Sequence, residues 1–514
     1  MTSVGAAVAP TRTPNVWILG GLVFFLSALG AWWSMAPYLV GVFHDDGIYA
    51  LLARSIAEGR GFHYLHLPGL PAAPHYPPLY PLLLAAIWKI APEFPSNLPW
   101  LLAPNAVLVG IAATGWYVLA TQRLMLRPRS AAPAALIVAL SSPMLMLAGA
   151  LLSEMMFIAL MWPALLACER ALENPTLRSA LVAGLLMGAI MLVRAHALAM
   201  LIAYAMMLVV RRRPRVAWLA LAAAIAVQLP WVLWSAWASP HLPSPLEGAY
   251  GSYIGWFVAG LREGGGAFLL GTVRVNLREL WLLLNDRFAL GLGAAAQYSA
   301  AAVVLAALVI GATSSVGRAP VSVMFAVVYF AVVLVWPWAP WRFAWALWPM
   351  VALTMIEGFR QSRHRWPRAR PIFAISALFV AFAFARTELH SYATRGWRAP
   401  ARAAEARIKP LVEWTRANTL PGDVILSEGE QVVYLYTGRQ AAPPVEFTAV
   451  EYIHPRPLAA STQLLASMLQ VVPAAWVVTG SPEVAQEASA MRDARFTLRP
   501  VVARPGVAAF RVVR

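Results

Sequence analysis

The sequence has little charge and almost none of two residue types. Only 12% of its 514 residues are Asp, Glu, Lys or Arg, where a soluble globular chain carries about 25%. A water-facing surface of ordinary size cannot be built from that composition. Cys168 is the single cysteine, which excludes an intrachain disulfide and any Cys-x-x-Cys redox or metal motif. Lys89 and Lys409 are the only lysines, so the net charge of +17 is carried by arginine. There is no P-loop, no glycine-rich dinucleotide turn and no nucleophile elbow. The only Asn-x-Thr, Asn174-Pro175-Thr176, is disqualified by its proline. His44, His63, His66 and His75 match no zinc spacing.

What the chain has instead is apolar residues, 60% of the total, with a mean hydropathy of +0.64. Runs able to cross about 30 Å of hydrocarbon lie near 17–36, 101–122, 131–149, 154–170, 178–193, 197–210, 216–238, 288–311, 320–338, 341–359 and 371–386. The first has no small-residue cleavage site before or within it and reads as a retained span. Arginines fall in alternate loops: Arg123 to Arg129, Arg170 and Arg178, Arg211 to Arg215, Arg318, and Arg360 to Arg370. By the positive-inside bias these loops are cytoplasmic, and arginine serving topology in this way argues against nucleic-acid binding. The expectation is an all-α polytopic membrane domain of about eleven spans, thirteen at most. Its N-terminus lies inside and its C-terminus outside a bacterial plasma membrane.

The membrane domain is expected over 1–386, with long external loops at 37–100 and 239–287. Tyr80 to Ile90 reads as an interfacial or re-entrant helix, since a span there would invert every later loop. Gly264-Gly265-Gly266 reads as loop flexibility, and Trp336-Pro337-Trp338-Ala339-Pro340-Trp341 as a helix end at the outer interface. From 387 to 514 polar residues return, and a small external α/β domain is expected. It contains a helix over Arg402–Asn418, with Ile408, Leu411, Val412 and Trp414 on one side, and strands at Val424–Leu426, Ala475–Val478 and Val507–Val513.

The chemistry concentrates in the first external loop, which opens His44-Asp45-Asp46-Gly47-Ile48-Tyr49. Paired carboxylates at the membrane surface either cap a helix or do chemistry, because neighbouring carboxylates separate in pKa and one can act as a base. Ile48, Leu51, Leu52, Ser55 and Ile56 place them at the start of an amphipathic surface helix ending at Gly59. Farther on comes His75-Tyr76-Pro77-Pro78-Leu79-Tyr80-Pro81. Glu154 follows a proline-broken segment at another outer end, and Arg194 and Arg342 are the outward arginines that break the inside bias. A guanidinium grips two phosphate oxygens at once, which suits a lipid phosphate; snorkelling to the interface is the plainer alternative.

The acidic pair after span one, Tyr49 three positions beyond it, the Ala57-Glu58-Gly59 helix end and the Tyr-Pro-Pro-Leu-Tyr-Pro segment together resemble the GT-C membrane glycosyltransferases. The branch they are most similar to is that of protein O-mannosyltransferases and lipid A aminoarabinose transferases. The resemblance implies an inverting transfer from a polyprenyl-phosphate sugar to an envelope lipid, glycan or protein. It implies Asp45 as the base with Asp46 assisting, Glu154 orienting the acceptor or a metal, and Arg342 as the arginine of a late Arg-Phe…Pro pattern. Donor phosphate would meet Arg342, Arg194, His75 and Tyr76, although a related branch has lysine before the Pro-Pro pair where this chain has tyrosine. The resemblance leaves metal dependence open: a divalent ion, Mg²⁺ or Mn²⁺, if used, would sit on Asp45, Asp46 and Glu154, and no other cofactor is implied. The competing classes are a transporter or lipid flippase and a non-catalytic assembly protein.

Overall fold

The computed structural model describes residues 14–288 and 293–514. The N-terminus expected inside, and residues 289–292 of the run expected at 288–311, fall outside them. The expected spans are helices: Pro14–Ser34, Leu98–Gln122, Glu154–Glu173, Leu177–Met191, Leu198–Val210, Arg215–Ala238, Ala294–Ser315, Pro320–Val335, Trp348–Arg365 and Arg370–Thr394. One further span is a pair, Pro128–Ala139 and Ser142–Ala148, bent by 56° where Ser141 breaks the ladder ahead of Pro143. Among the described residues six helices are long and apolar enough to cross a membrane on length and composition alone, and the bent pair makes a seventh.

The alternation of arginines has a spatial counterpart. Arg123 pairs with Glu173 at 2.5 Å. The Leu124 carbonyl accepts from Arg318 at 3.0 Å and from Arg360 at 2.6 Å, and both arginines pair with the fully buried Glu357. Loops scattered over 240 residues of sequence therefore meet at one end of the bundle. At the other end lie the turns around residues 35–45, 141–154, 192–197 and 336–348.

One feature of that second end differs from the sequence reading and another agrees with it. The stretch at 239–287 is helical over Tyr253–Arg287, broken only at Gly265, whose φ of +56° and ψ of −144° no other residue type adopts easily. Trp256 and Gly260 before the break, and Phe268, Thr272 and Asn276 after it, are buried at four-residue spacing, the ridge of an α-helix on each side. Asn276 anchors it by donating to the carbonyls of Val333, Leu334 and Trp336. The triple glycine is thus a kink in a packed helix and not loose loop. The segment at 80–90 is a helix, Leu79–Ile90, whose 12 residues reach about 18 Å, too short to cross. Its first amide donates to the Leu192 carbonyl at 3.0 Å.

The C-terminal part carries helix Ala399–Asn418 and a five-stranded sheet: β1 (Ile425–Leu426), β2 (Ala441–Ala442), β3 (Trp476–Thr479), β4 (Thr497–Arg504) and β5 (Val507–Val513), in the order β2-β1-β3-β5-β4. β1 runs parallel to β2 and β3, and β5 antiparallel to β3 and β4. Two strands were not expected: β2 is two residues long, and β4 interleaves arginines and a proline with its apolar residues. Leu426, Leu435 and Phe510 of this part share one apolar cluster with Tyr49, Tyr64, Tyr80 and Tyr250 of the loops below. The Ala441 amide even extends the sheet edge onto the His66 carbonyl at 2.8 Å.

Helices Ala294–Ser315 and Trp348–Arg365 touch backbone to backbone: a Cβ on Gly311 would overlap the Thr354 carbonyl, and one on Gly358 the Ala307 carbonyl. Small residues at such crossings let dispersion contacts replace the hydrophobic drive that lipid does not supply. Gly358→Val is therefore expected to lower the thermal unfolding midpoint in detergent by the equivalent of about 1–3 kcal/mol. Gly21→Ala, where a Cβ meets nothing within 4 Å, should leave it unchanged; equal midpoints for the two variants would show that the crossing is looser than described.

Candidate active site

At the end of the bundle that carries the C-terminal domain, a cavity of about 380 Å³ opens between the two. Its floor comes from the membrane domain and includes Asp45, Tyr49, His75, Tyr76, Arg194 and Arg342; its roof includes Glu428, Glu430, Pro443 to Phe447 and Glu451 of the C-terminal domain. Aromatic rings of Tyr253, Trp256, Trp336 and Trp338 form a side wall.

The floor is organised by four charges from four distant segments. Arg342 sits between two carboxylates, 2.9 Å from Asp45 Oδ2 and 2.8 Å from Glu154 Oε1, with its Nε donating to the same Glu154 oxygen at 3.0 Å. Arg194 pairs with Glu154 Oε2 at 2.9 Å and donates to the Ser153 hydroxyl at 3.1 Å, and its guanidinium lies 5.5 Å over the Phe343 ring. Glu154 is 0% exposed. An isolated ion could not be buried there, whereas two carboxylates against two guanidiniums leave no net charge to desolvate. Local sequence supplies the positions: Glu154 begins a helix, Arg194 follows the last turn of another, and Arg342 starts the short helix Trp341–Ala346 after a Trp/Pro-rich turn.

Asp45 opens helix Asp45–Ala57. Its second oxygen, Oδ1, accepts from the Tyr76 hydroxyl at 2.9 Å. Burial alone would raise its pKa, but the charge of Arg342 and the Tyr76 hydrogen bond hold it below 3.8. Asp46 behaves in the opposite way. It is 0% exposed, turned from the cavity, and accepts from the amides of Gly41 at 2.8 Å and Phe43 at 3.0 Å. With no cation beside it, burial outweighs these hydrogen bonds and lifts it from 3.8 to about 6. Asp46 therefore closes the loop on itself, and only Asp45 of the pair faces the cavity.

His75 and Tyr76 line the cavity, yet neither is arranged for a phosphate. Burial lowers His75 to about 4, so the ring is neutral at physiological pH, and its Nδ1 is engaged by the Gly251 carbonyl. Nδ1 is then the protonated nitrogen and Nε2 can only accept. The Tyr76 hydroxyl is committed to Asp45. The phosphate-binding capacity of the site rests on the two arginines. The carboxylates do not assemble a cation site either: Asp46 points elsewhere, Glu154 is covered by two guanidiniums, and among the described residues no three His, Cys, Asp or Glu side chains converge.

Against solved structures, the chain is similar to ArnT from Cupriavidus metallidurans. With the crystal structure bound to undecaprenyl phosphate the TM-score is 0.55 at 11% sequence identity, over 97% of this chain and 98% of that one. With the apo crystal structure it is 0.50 at 12%, over 96% and 98%. The chain shares the fold of these two structures. No protein-family model and no curated protein sequence matches the chain. The likeness spans both parts of the molecule, so the C-terminal domain belongs to the shared architecture.

By residue type Tyr434, Tyr436, Arg439, Glu446 and Glu451 could bind an acceptor glycan, with ordinary surface and core roles the plainer reading, and Glu446 and Glu451 do line the roof. Nothing in the sequence signals that Pro443 to Phe447 face the acidic loop, and Glu428 and Glu430 lie at a helix start like many others. Tyr253 and Trp256 were hidden by reading their segment as loop, although Ser252, whose side chain caps Gly255 at 3.0 Å, is a helix start signal of the ordinary kind.

The two adjacent aspartates should titrate apart. Because the folded value of Asp46 is above its unfolded one, its protonation adds stability at low pH, and that contribution is lost as pH rises through about 6. Asp45, with its value lowered, adds stability above 3.8 that is lost as pH falls through its folded value. Infrared difference spectra should show one carboxyl band titrating near pH 6 that disappears in Asp46→Asn and persists in Asp45→Asn. The reverse assignment would contradict the geometry.

Proposed function

We propose that the protein transfers a sugar from a polyprenyl-phosphate donor to an acceptor hydroxyl or amine, at the external face of a bacterial plasma membrane. The observation that carries this reading is the pairing of Asp45 with Arg342 in an apolar-walled cavity at the membrane surface: one carboxylate able to take a proton beside two guanidiniums able to take a phosphate. The ArnT structure of the same fold holds undecaprenyl phosphate, and the clustering of loop arginines at the opposite end supports placing the cavity outside. Nucleotide sugars are not available on that side of the membrane, whereas a lipid-carried sugar is.

In this mechanism the donor phosphate enters between Arg342 and Arg194. Arg342 exchanges its contact with Asp45 for one with a phosphate oxygen while Glu154 keeps the guanidinium in place. The exchange keeps the Arg342 charge answered, and the charge left without its cation is that of Asp45. Asp45, relieved of its cation but still held by Tyr76, becomes a stronger base. It takes the acceptor proton as the acceptor attacks the anomeric carbon from the face opposite the phosphate, which departs onto the two arginines. The product has inverted anomeric configuration.

Membranes containing the protein are supplied with radiolabelled polyprenyl-phosphate sugars and total envelope acceptors. Asp45→Asn is expected to lower transfer by about 10²–10⁴-fold when compared at equal amounts of folded protein. Near-normal transfer by the variant would remove Asp45 as the base. Labelled donor that crosses vesicle membranes without any transfer would identify a flippase instead.

A further inference from the structure

The acidic loop is moulded against the C-terminal domain. Gly41, at φ +105°, packs so closely that a Cβ would lie 2.6 Å from Val432 Cγ2, and a Cβ on Gly47 would lie 2.7 Å from Gln431 Cβ and 2.8 Å from Gly41 Cα. Val432 and Gln431 belong to helix Glu430–Thr437. The Val40 amide also donates to the Tyr436 hydroxyl of that helix at 2.9 Å. Between these contacts stands His44, a non-glycine residue at φ +63° and ψ −66°, a conformation that persists only where surroundings enforce it.

The backbone there is closed by the Asp45 amide on the Phe43 carbonyl at 2.8 Å, and the ring is held by Gln431, itself 1% exposed. Its amide nitrogen donates to His44 Nδ1 at 2.8 Å, with Glu430 Oε1 at 3.0 Å and the Tyr250 oxygen at 3.2 Å as further acceptors. Tyr250 donates to the same Glu430 oxygen at 2.5 Å and meets His66 Nε2 at 2.8 Å. The neighbouring carboxylate oxygen fixes which end of the Gln431 amide carries hydrogens. His44 Nδ1 must then accept, so the ring proton sits on Nε2. His44 is followed directly by Asp45, and its carbonyl accepts the Ile48 amide at 3.1 Å, so the ring, the first turn of the helix and the base move as one unit.

We propose that Gln431, brought in by the C-terminal domain, is a positioning residue for Asp45: by fixing the His44 ring it fixes the turn from which the base projects. The inference rests on the glycosyl-transfer reading, and it makes the C-terminal domain part of the machinery that places the base as well as the roof of the cavity.

The test uses the full-length protein in detergent with polyprenyl-phosphate sugar donors, comparing the natural chain, Gln431→Met, His44→Leu and the double variant. Displacing a base by about 1 Å costs up to about 100-fold. Each single variant is therefore expected to lose about 10- to 100-fold in kcat with the donor KM within about twofold, and the double variant to be no worse than the weaker single. Losses that multiply in the double variant would mean the two residues act independently, and near-normal turnover of Gln431→Met would remove its role; either overturns the proposal. So would a kcat loss matched by an equal rise in donor KM and a lowered thermal midpoint, which is plain destabilisation. A second measurement is independent of turnover: ¹⁵N spectra of the histidine rings should show His44 locked as the Nε2–H tautomer in the natural chain and released in Gln431→Met. Identical spectra would overturn the proposal even if the protein transferred no sugar, whereas absence of transfer by the natural chain across a donor panel would count against the glycosyl-transfer reading alone.

Discussion

Arg342, shared between Asp45 and Glu154, is the contact on which the rest of the site depends. A guanidinium buried beside lipid-facing helices is tolerable only if its charge is answered within hydrogen-bond distance. Here the two answering carboxylates come from the first loop and from a helix start more than a hundred residues away. Arg194 then pairs with the second oxygen of Glu154, so that two guanidiniums face two carboxylates. Four segments are thereby forced to end at the same depth, and the breaks that bring them there are the residues that stop helices: Pro143 before Glu154, the turn after Met191, and the Trp/Pro run before Arg342. The electrostatic requirement and the helix-breaking sequence specify the same place.

The neutrality of that cluster also bears on what can enter. A lone guanidinium pair would attract any anion, and a lone carboxylate pair any cation. A balanced tetrad has a small far field, and its affinity is expressed only toward a group that can replace one carboxylate with better geometry. A tetrahedral phosphate offering two oxygens to a planar fork is such a group. On the proposed mechanism the base strength of Asp45 follows from this substitution: while Arg342 rests on it the carboxylate is held below its ordinary value, and it recovers basicity when the phosphate takes the arginine. Chemistry is thereby tied to the presence of the donor.

The membrane bundle was legible in the sequence because lipid imposes a single long-range rule: apolar runs of sufficient length separated by polar loops, with arginine marking alternate ends. The helix beginning at Asp45 was legible for a similar reason, its apolar residues falling at helical spacing, although it is largely buried and not the surface helix expected. Of the seven side chains singled out, Asp45, Glu154, Arg194, Arg342 and Tyr76 form one cluster of ion pairs and hydrogen bonds, His75 borders the same cavity with its Nδ1 turned to Gly251, and Asp46 faces backbone amides. Adjacent aspartates look alike in one dimension. Which one reaches the cavity depends on Gly41 and Phe43 offering amides to the other, and that is set by a loop conformation with positive φ at Gly41 and His44. The roof was illegible because its contacts join residues nearly 390 positions apart, as in the pair His44 and Gln431, and no local pattern encodes a pairing of that range.

The same long-range contact explains why a small C-terminal domain packs so tightly on the membrane part. A cavity whose floor is charged must exclude water if its ion pairs are to discriminate between partners, since screening by solvent would reduce each pair to little. The aromatic wall of Trp256, Trp336 and Trp338 cannot do this alone, because it covers one side. Closure needs a surface outside the membrane, and in this chain the surface that closes the cavity also sends Gln431 into the turn preceding Asp45. Excluding water and fixing that turn are served by one interface, so a change that loosened the C-terminal domain would be felt at Asp45 through both at once.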